Sequence, residues 1–166
     1  MQAQVVPMKD KLPILIVEDQ LEEQEKISMS LSFLKIDNPL IFTVNHKTTF
    51  AYLDSLPETI LRSKRLPGLI VLDYYLKGEV AFNILKDIKA HPIYRQVPVI
   101  VFSTSNTVAD LNACYSIGCN GYFQKPDCEE GYRKILEIVC NFWFKEVELP
   151  YTDQRNSRSF YKTLEE

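Results

Sequence analysis

Leu69-Ile70-Val71-Leu72-Asp73 is a run of four apolar residues that ends in a carboxylate, with Gly68 directly in front of it. A short apolar run bounded by a turn residue reads as a strand buried on both faces, and such strands belong to parallel sheets covered by helices. The terminal acid then falls at the carboxyl edge of the sheet, where open α/β folds place their chemistry. Pro13-Ile14-Leu15-Ile16-Val17-Glu18-Asp19 repeats the design, with β-branched apolar residues followed by acid. Two strands thus deliver carboxylates to one edge.

The flanking segments supply the rest of such a fold. Gln20 to Lys35 carries Leu21, Ile27, Leu31 and Leu34 at helical spacing among Glu and Lys, and Asp37-Asn38-Pro39 stops it. Leu40 to Val44 reads as a strand, and Thr49 to Leu56 as a helix with Phe50 and Leu53 inward. Beyond Asp73, a helix is predicted over Gly78 to Ala90 with Val80, Ile84, Leu85 and Ile88 inward, ended by His91-Pro92. Val97 to Phe102 is a buried strand that runs into Ser103-Thr104-Ser105, and Leu111 to Ile117 is a short helix closed by Gly118. Gly121 to Lys125 is the last strand, meeting Pro126, and Cys128 to Val147 is helical again. Five strands alternating with five helices require right-handed crossovers, so the expected fold is α/β, a doubly wound five-stranded parallel sheet.

The chain has 166 residues, enough for one core, with 46% apolar and 25% charged residues. Its expected organisation is an extension over 1–12, one domain over 13–147 and a polar tail over 148–166. A net charge of -3 disfavours nucleic-acid binding, and the short basic run Arg62-Ser63-Lys64-Arg65 reads as a solvated loop. The amino terminus lacks the apolar stretch of a signal peptide, and no apolar run is long enough to cross a bilayer, so a cytoplasmic location without membrane attachment is expected. Cys114, Cys119, Cys128 and Cys140 contain no CxxC pair and read as small core residues held as thiols. His46 and His91 read as surface or loop residues.

Four strand ends place Glu18, Asp19, Asp73, Ser103 and Lys125 at one mouth. Three carboxylates so close raise one another's pKa unless a cation sits among them, and a hard divalent ion with oxygen ligands, Mg²⁺, meets that need. With an ammonium at Lys125 and a hydroxyl at Ser103, the set suits a phosphoryl group, with Asp73 on the central strand as nucleophile and the acid pair on the metal side.

These residues resemble the receiver domains of two-component response regulators. The resemblance covers Pro13 to Val147 and rests on the acid pair Glu18-Asp19, Asp73 after the third strand, Ser103 thirty residues later and Lys125-Pro126 twenty-two beyond that. It implies a flavodoxin-like (βα)5 fold with strand order 2-1-3-4-5. It further implies phosphorylation of Asp73 by a sensor histidine kinase, and Mg²⁺ held by Glu18, Asp19, Asp73 and the backbone carbonyl of Tyr75. Lys125 then contacts the phosphoryl group, and Ser103 and Tyr122 are the switch pair whose movement alters a partner-binding face. The end Phe142-Trp143-Phe144 looks like that of single-domain regulators paired with bacteriophytochrome kinases, which implies a phytochrome-type kinase and a homodimer through the last helix. Three consecutive aromatics cannot all be buried by one helix, so at least one is expected to face solvent or a partner.

With no effector domain after the receiver-like segment, the resemblance implies output through a downstream protein target rather than through DNA. The alternatives are a degenerate receiver that acts only as a scaffold, and a haloacid-dehalogenase-like phosphatase. The latter needs a second acid two residues after Asp73, where Tyr75 stands. Lys77 and Ala81 occupy positions where receivers usually carry Pro and Gly, with Gly78 available for the turn. The Tyr75 ring is large enough to shield Asp73 from water, and slow self-dephosphorylation is expected of it.

Overall fold

The computed structural model describes residues 12–56 and 66–149. Strands β1 (Ile14–Val17), β2 (Leu40–Thr43), β3 (Leu69–Asp73), β4 (Val99–Ser103) and β5 (Gly121–Gln124) form one parallel sheet in the order 2-1-3-4-5. Helices α1 (Leu21–Phe33), α2 (His46–Ser55), α3 (Phe82–Ala90) and α4 (Val108–Ile117) lie in the four crossovers, and α5 (Glu129–Asn141) follows the last strand. This is the doubly wound arrangement expected from the strand and helix alternation.

Because side chains alternate across a strand, each strand feeds two apolar layers. Leu15, Val17, Ile70, Leu72, Val99 and Val101 pack with Leu53 of α2, Ile84, Leu85 and Ile88 of α3, and Cys114 of α4. Ile14, Ile16, Leu69, Val71, Ile100 and Phe102 pack with Ile27 and Leu31 of α1 and with Tyr132, Leu136, Val139 and Cys140 of α5. Strands β1, β3 and β4 are buried over their whole length, which explains their unbroken apolar sequence.

Several boundaries differ from expectation, each for a local reason. Helix α2 begins at His46 rather than Thr49, because Asn45 and Thr48 form a reciprocal capping box. Helix α4 begins at Val108 because the Thr107 side chain accepts the Asp110 amide. Helix α3 begins at Phe82, not Gly78, since Tyr75–Leu76 and Glu79–Val80 pair antiparallel about Lys77-Gly78. Gly78 has φ 84, a conformation that a side chain resists. Leu21, expected inward, is 68% exposed at the first turn of α1. Cys128 is exposed rather than core, while Cys114, Cys119 and Cys140 are buried.

After α5 the chain widens into a π-helical turn over Phe142–Glu146, with the Val147 amide donating to the Phe142 carbonyl. Phe144 is buried, Trp143 half-buried and Phe142 exposed. A Cβ on Gly68 would stand 2.7 Å from the Phe144 ring, so the glycine before β3 admits that aromatic. The run Arg62–Arg65, the Val80 side chain, and residues 1–11 and 150–166 of the expected extension and tail lie outside the described residues.

Candidate functional site

The parallel register brings the strand ends together. Val17 pairs with Leu72 and Asp73 with Phe102, so the residues following β1 meet the ends of β3 and β4. Lys125 follows β5, and its amide donates to the Ser103 carbonyl at 2.7 Å, which fixes the last strand's exit beside β4.

Glu18, Asp73, Ser103 and Lys125 are all buried at this mouth. The Lys125 ammonium donates to Glu18 Oε2 at 2.7 Å and lies 3.1 Å from Asp73 Oδ2 and 3.6 Å from Glu23 Oε2. One cation therefore serves three carboxylates. Burial pushes the Asp73 carboxyl above its ordinary range against the pull of Lys125, and burial and the Asp73 charge do the same to Glu18. Burial alone would lower the Lys125 ammonium, but the charges of Asp73 and Glu18 outweigh it and hold it above the usual value.

Asp19 completes the acid set differently. One oxygen from each of Glu18, Asp19 and Asp73 lies within 4.8 Å of the others. Asp19 Oδ2 accepts the Lys77 amide at 2.9 Å, while Oδ1 is buried without a hydrogen-bond partner. An orphaned buried carboxylate oxygen beside two further acids fits a divalent cation, because each oxygen is otherwise left desolvated and repelled. Proline, usual in receivers at position 77, has no amide to offer, so this departure ties the hairpin after β3 to the acid pair.

The hydroxyl side of the mouth is a second network. Ser103 Oγ accepts the Ser105 amide at 3.0 Å, and the Tyr122 hydroxyl donates to the Ser105 carbonyl at 3.1 Å. The Tyr75 amide donates to Asp73 Oδ1 at 3.2 Å, and its phenol reaches Asp110 Oδ2 at 2.9 Å. Glu18, Asp19, Asp73, Tyr75, Ser103, Tyr122 and Lys125 thus gather at one end of the sheet. Phe142, Trp143 and Phe144 do not join them, since Phe144 packs at Gly68, before the opposite end of β3.

Sequence reasoning missed three contributors. Glu23 faces Lys125 and accepts the Tyr132 hydroxyl. The available signal was its position, since Glu23, Ile27 and Leu31 fall at i, i+4 and i+8 and share the inward face of α1. Asp110 carried only the signal of a first-turn acid after a capping threonine. The Lys77 amide had none.

A parallel α/β sheet with a buried acid, an acid pair and a lysine at its carboxyl edge defines a phosphoryl-accepting receiver fold. Residues 14–137 match the response regulator receiver domain, and the chain belongs to that family, whose role is phosphoacceptor signalling. It is 29% identical over 137 residues to the response regulator Rcp1 of Synechocystis sp., covering 82% of this chain and 92% of that one. It is 30% identical over 139 residues to the probable methanogenesis regulatory protein FilR2 of Methanothrix harundinacea, covering 84% and 88%. Among solved structures, the Mn²⁺-bound form of Rcp1 superposes with a TM-score of 0.72 at 28% identity, covering 84% of this chain and 99% of that one. The phosphorylated cyanobacterial phytochrome response regulator RcpA gives 0.74 at 26% identity, covering 85% and 99%.

Proposed function

We propose that this chain works as a single-domain response regulator over residues 13–147, flanked by an extension at 1–12 and a tail at 148–166, with Asp73 as phosphoacceptor. The observation that carries the reading is the placement of Asp73, buried at the end of the central strand, 3.1 Å from Lys125 and within 4.8 Å of the acid pair. In the transfer, an Asp73 carboxylate oxygen attacks phosphorus, the bond to the donor nitrogen of a kinase histidine breaks, and the leaving imidazole keeps the electron pair. Lys125 neutralises oxygens of the transferred group. Self-dephosphorylation is the attack of water on the same phosphorus, returning Asp73 as a carboxylate.

Glu18, Asp19, Asp73 and the Tyr75 carbonyl would hold Mg²⁺, with the orphaned Asp19 oxygen and the Mn²⁺-bound Rcp1 in support. The ion supplies charge neutralisation and orientation of the phosphoryl oxygens. Ser103 and Tyr122 form the switch, since both bond to Ser105, so a turn of the Ser103 hydroxyl releases an amide in the segment that holds Tyr122. The kinase partner is of phytochrome type, on the strength of the likeness to RcpA. A downstream protein reads the altered face. Exposed Phe142, next to half-buried Trp143, supports a homodimer at the last turn, and sedimentation as a monomer at all concentrations would remove that part. The four free cysteines suit the reducing cytoplasm. Among the described residues no helix is long and apolar enough to cross a membrane.

The test is incubation with a small phosphodonor and Mg²⁺, followed by intact-mass measurement. One phosphoryl group on the wild type and none on Asp73→Asn is the expected result. No adduct on either protein would leave only the scaffold role.

A further inference from the structure

The three carboxylates around Lys125 are of two kinds. Glu18 and Asp73 belong with Asp19 to the acid cluster, one oxygen of each lying within 4.8 Å of the others. Glu23 is not one of them; it stands in the first turn of α1, and its oxygens are held from two helices. Oε1 accepts the Lys26 ammonium at 2.8 Å, and Oε2 accepts the hydroxyl of Tyr132, a residue of α5 that is 2% exposed. Against the effect of burial, these bonds hold the Glu23 carboxyl below the ordinary carboxylate range, so it is ionised at neutral pH.

The Lys125 ammonium is seated unevenly among the three. Its bond to Glu18 Oε2 is 2.7 Å and it lies 3.1 Å from Asp73 Oδ2, whereas Glu23 Oε2 at 3.6 Å is an ion-pair neighbour too distant for a hydrogen bond. An ammonium carries three protons and a carboxylate oxygen two lone pairs, so Oε2 can accept Lys125 as well as Tyr132. A divalent cation on Glu18 sets a second positive charge on the carboxylate that Lys125 occupies, and the two cations repel. A displacement of less than about 1 Å toward Glu23 would give the ammonium a full hydrogen bond there.

We propose that Glu23 is a positioning residue that takes up the Lys125 ammonium when a divalent cation claims Glu18. Tyr132 and Lys26 hold the receiving carboxylate in place. Lys125 then exchanges one carboxylate for another and stays at the mouth beside Asp73. It is never buried without a partner, the state that costs most. In a chain without the Glu23 charge, the cation and the ammonium compete for the same two acids. This rests on Glu18, Asp19 and Asp73 being the Mg²⁺ site.

Two measurements on the full chain test it. In the first, Mg²⁺ is titrated into the wild type and its variants by calorimetry. Glu23→Gln, which keeps the shape and an acceptor for Tyr132 but loses the charge, should weaken Mg²⁺ binding about tenfold, the scale of one net hydrogen bond to a charged group. Tyr132→Phe should weaken it less. In a Lys125→Met background, with no ammonium to relocate, Glu23→Gln should change the affinity by less than about twofold. An equal loss with and without Lys125 would mean that Glu23 acts on the ion as a bare charge, and the exchange falls. It falls too if Glu23→Gln alone leaves the affinity unchanged.

Should Lys125→Met fail to fold, the second measurement decides. In a crystal structure of the wild type with Mg²⁺, Lys125 Nζ should stand within about 3 Å of Glu23 Oε2 and have left Glu18 Oε2. An ammonium still bonded to Glu18 overturns the exchange. A wild type that binds no Mg²⁺ removes the metal reading and the exchange together, whereas binding that ignores Glu23 removes the exchange alone.

Discussion

Two places in this molecule set three partners on one charge, with opposite sign. At the mouth, the Lys125 ammonium faces the carboxylates of Glu18, Asp73 and Glu23. At the rim, one Asp110 oxygen accepts the hydroxyls of Tyr75, Ser105 and Thr107. The mouth is buried and short of positive charge, so its acids Glu18 and Asp73 are pushed toward the protonated form. The rim is solvated and rich in donors, and hydrogen bonds from Ser105, Thr107 and Tyr75 hold Asp110 below the ordinary carboxylate range. A cation deficit in a dry place makes a binding site, whereas a donor surplus in a wet one makes a joint.

The contrast breaks most visibly at Lys125. Lys125→Met leaves the mouth acids without their shared cation, and the neutral-pH stability of the metal-free protein should fall by about 3–5 kcal/mol, with part recovered on adding Mg²⁺. Chemical denaturation with and without Mg²⁺ measures both, and an unchanged midpoint would show that the mouth is not short of charge.

A smaller effect separates the two places by pH. Because Glu18 and Asp73 titrate higher in the folded chain than in the unfolded one, the mouth adds stability in acid that is lost as pH rises through those raised values. Asp110 works the other way, adding stability above its ordinary range that is lost as pH falls through its lowered value. The rise in melting temperature produced by Mg²⁺ should therefore be larger on the alkaline side of those raised values than on the acid side, where protons already relieve the mouth. An equal rise at both would place the ion elsewhere.

The smallest effect belongs to the rim. Thr107→Ala removes the cap of α4 and one of three donors to Asp110, and should cost about 1 kcal/mol by thermal melting. Its Mg²⁺ response should match that of the wild type. A lost Mg²⁺ response would merge the two networks into one.

The mouth was largely legible in the sequence, because Asp73 and Glu18 close apolar runs and a buried strand can end in acid only where something receives the charge. The rim was not. Tyr75 and Asp110 are 35 residues apart, and Asp110 sits in a stretch whose hydrophobic pattern says only that a helix begins. Glu23 was hidden for a related reason: a glutamate in the first turn of a helix is ordinary on the surface, and only the packing of α1 beside Lys125 turns it inward. The early start of α2 and late start of α3 were missed through turn chemistry, a capping box in one case and a glycine hairpin in the other.

Apolar runs, their terminal acids and the turn residues between them determined by themselves the strands, the crossovers and the edge at which the charges meet. These follow from local periodicity and from the cost of burying unpaired polar groups, which any stretch of chain must meet wherever it lies. Tertiary structure alone decided which partner each charge received: Lys125 reaches Glu18 across 107 residues, Tyr132 reaches Glu23 across 109, and the Lys77 amide holds Asp19 across 58. Such contacts depend on ångström-scale distances set when the two apolar layers close, and no local pattern carries them.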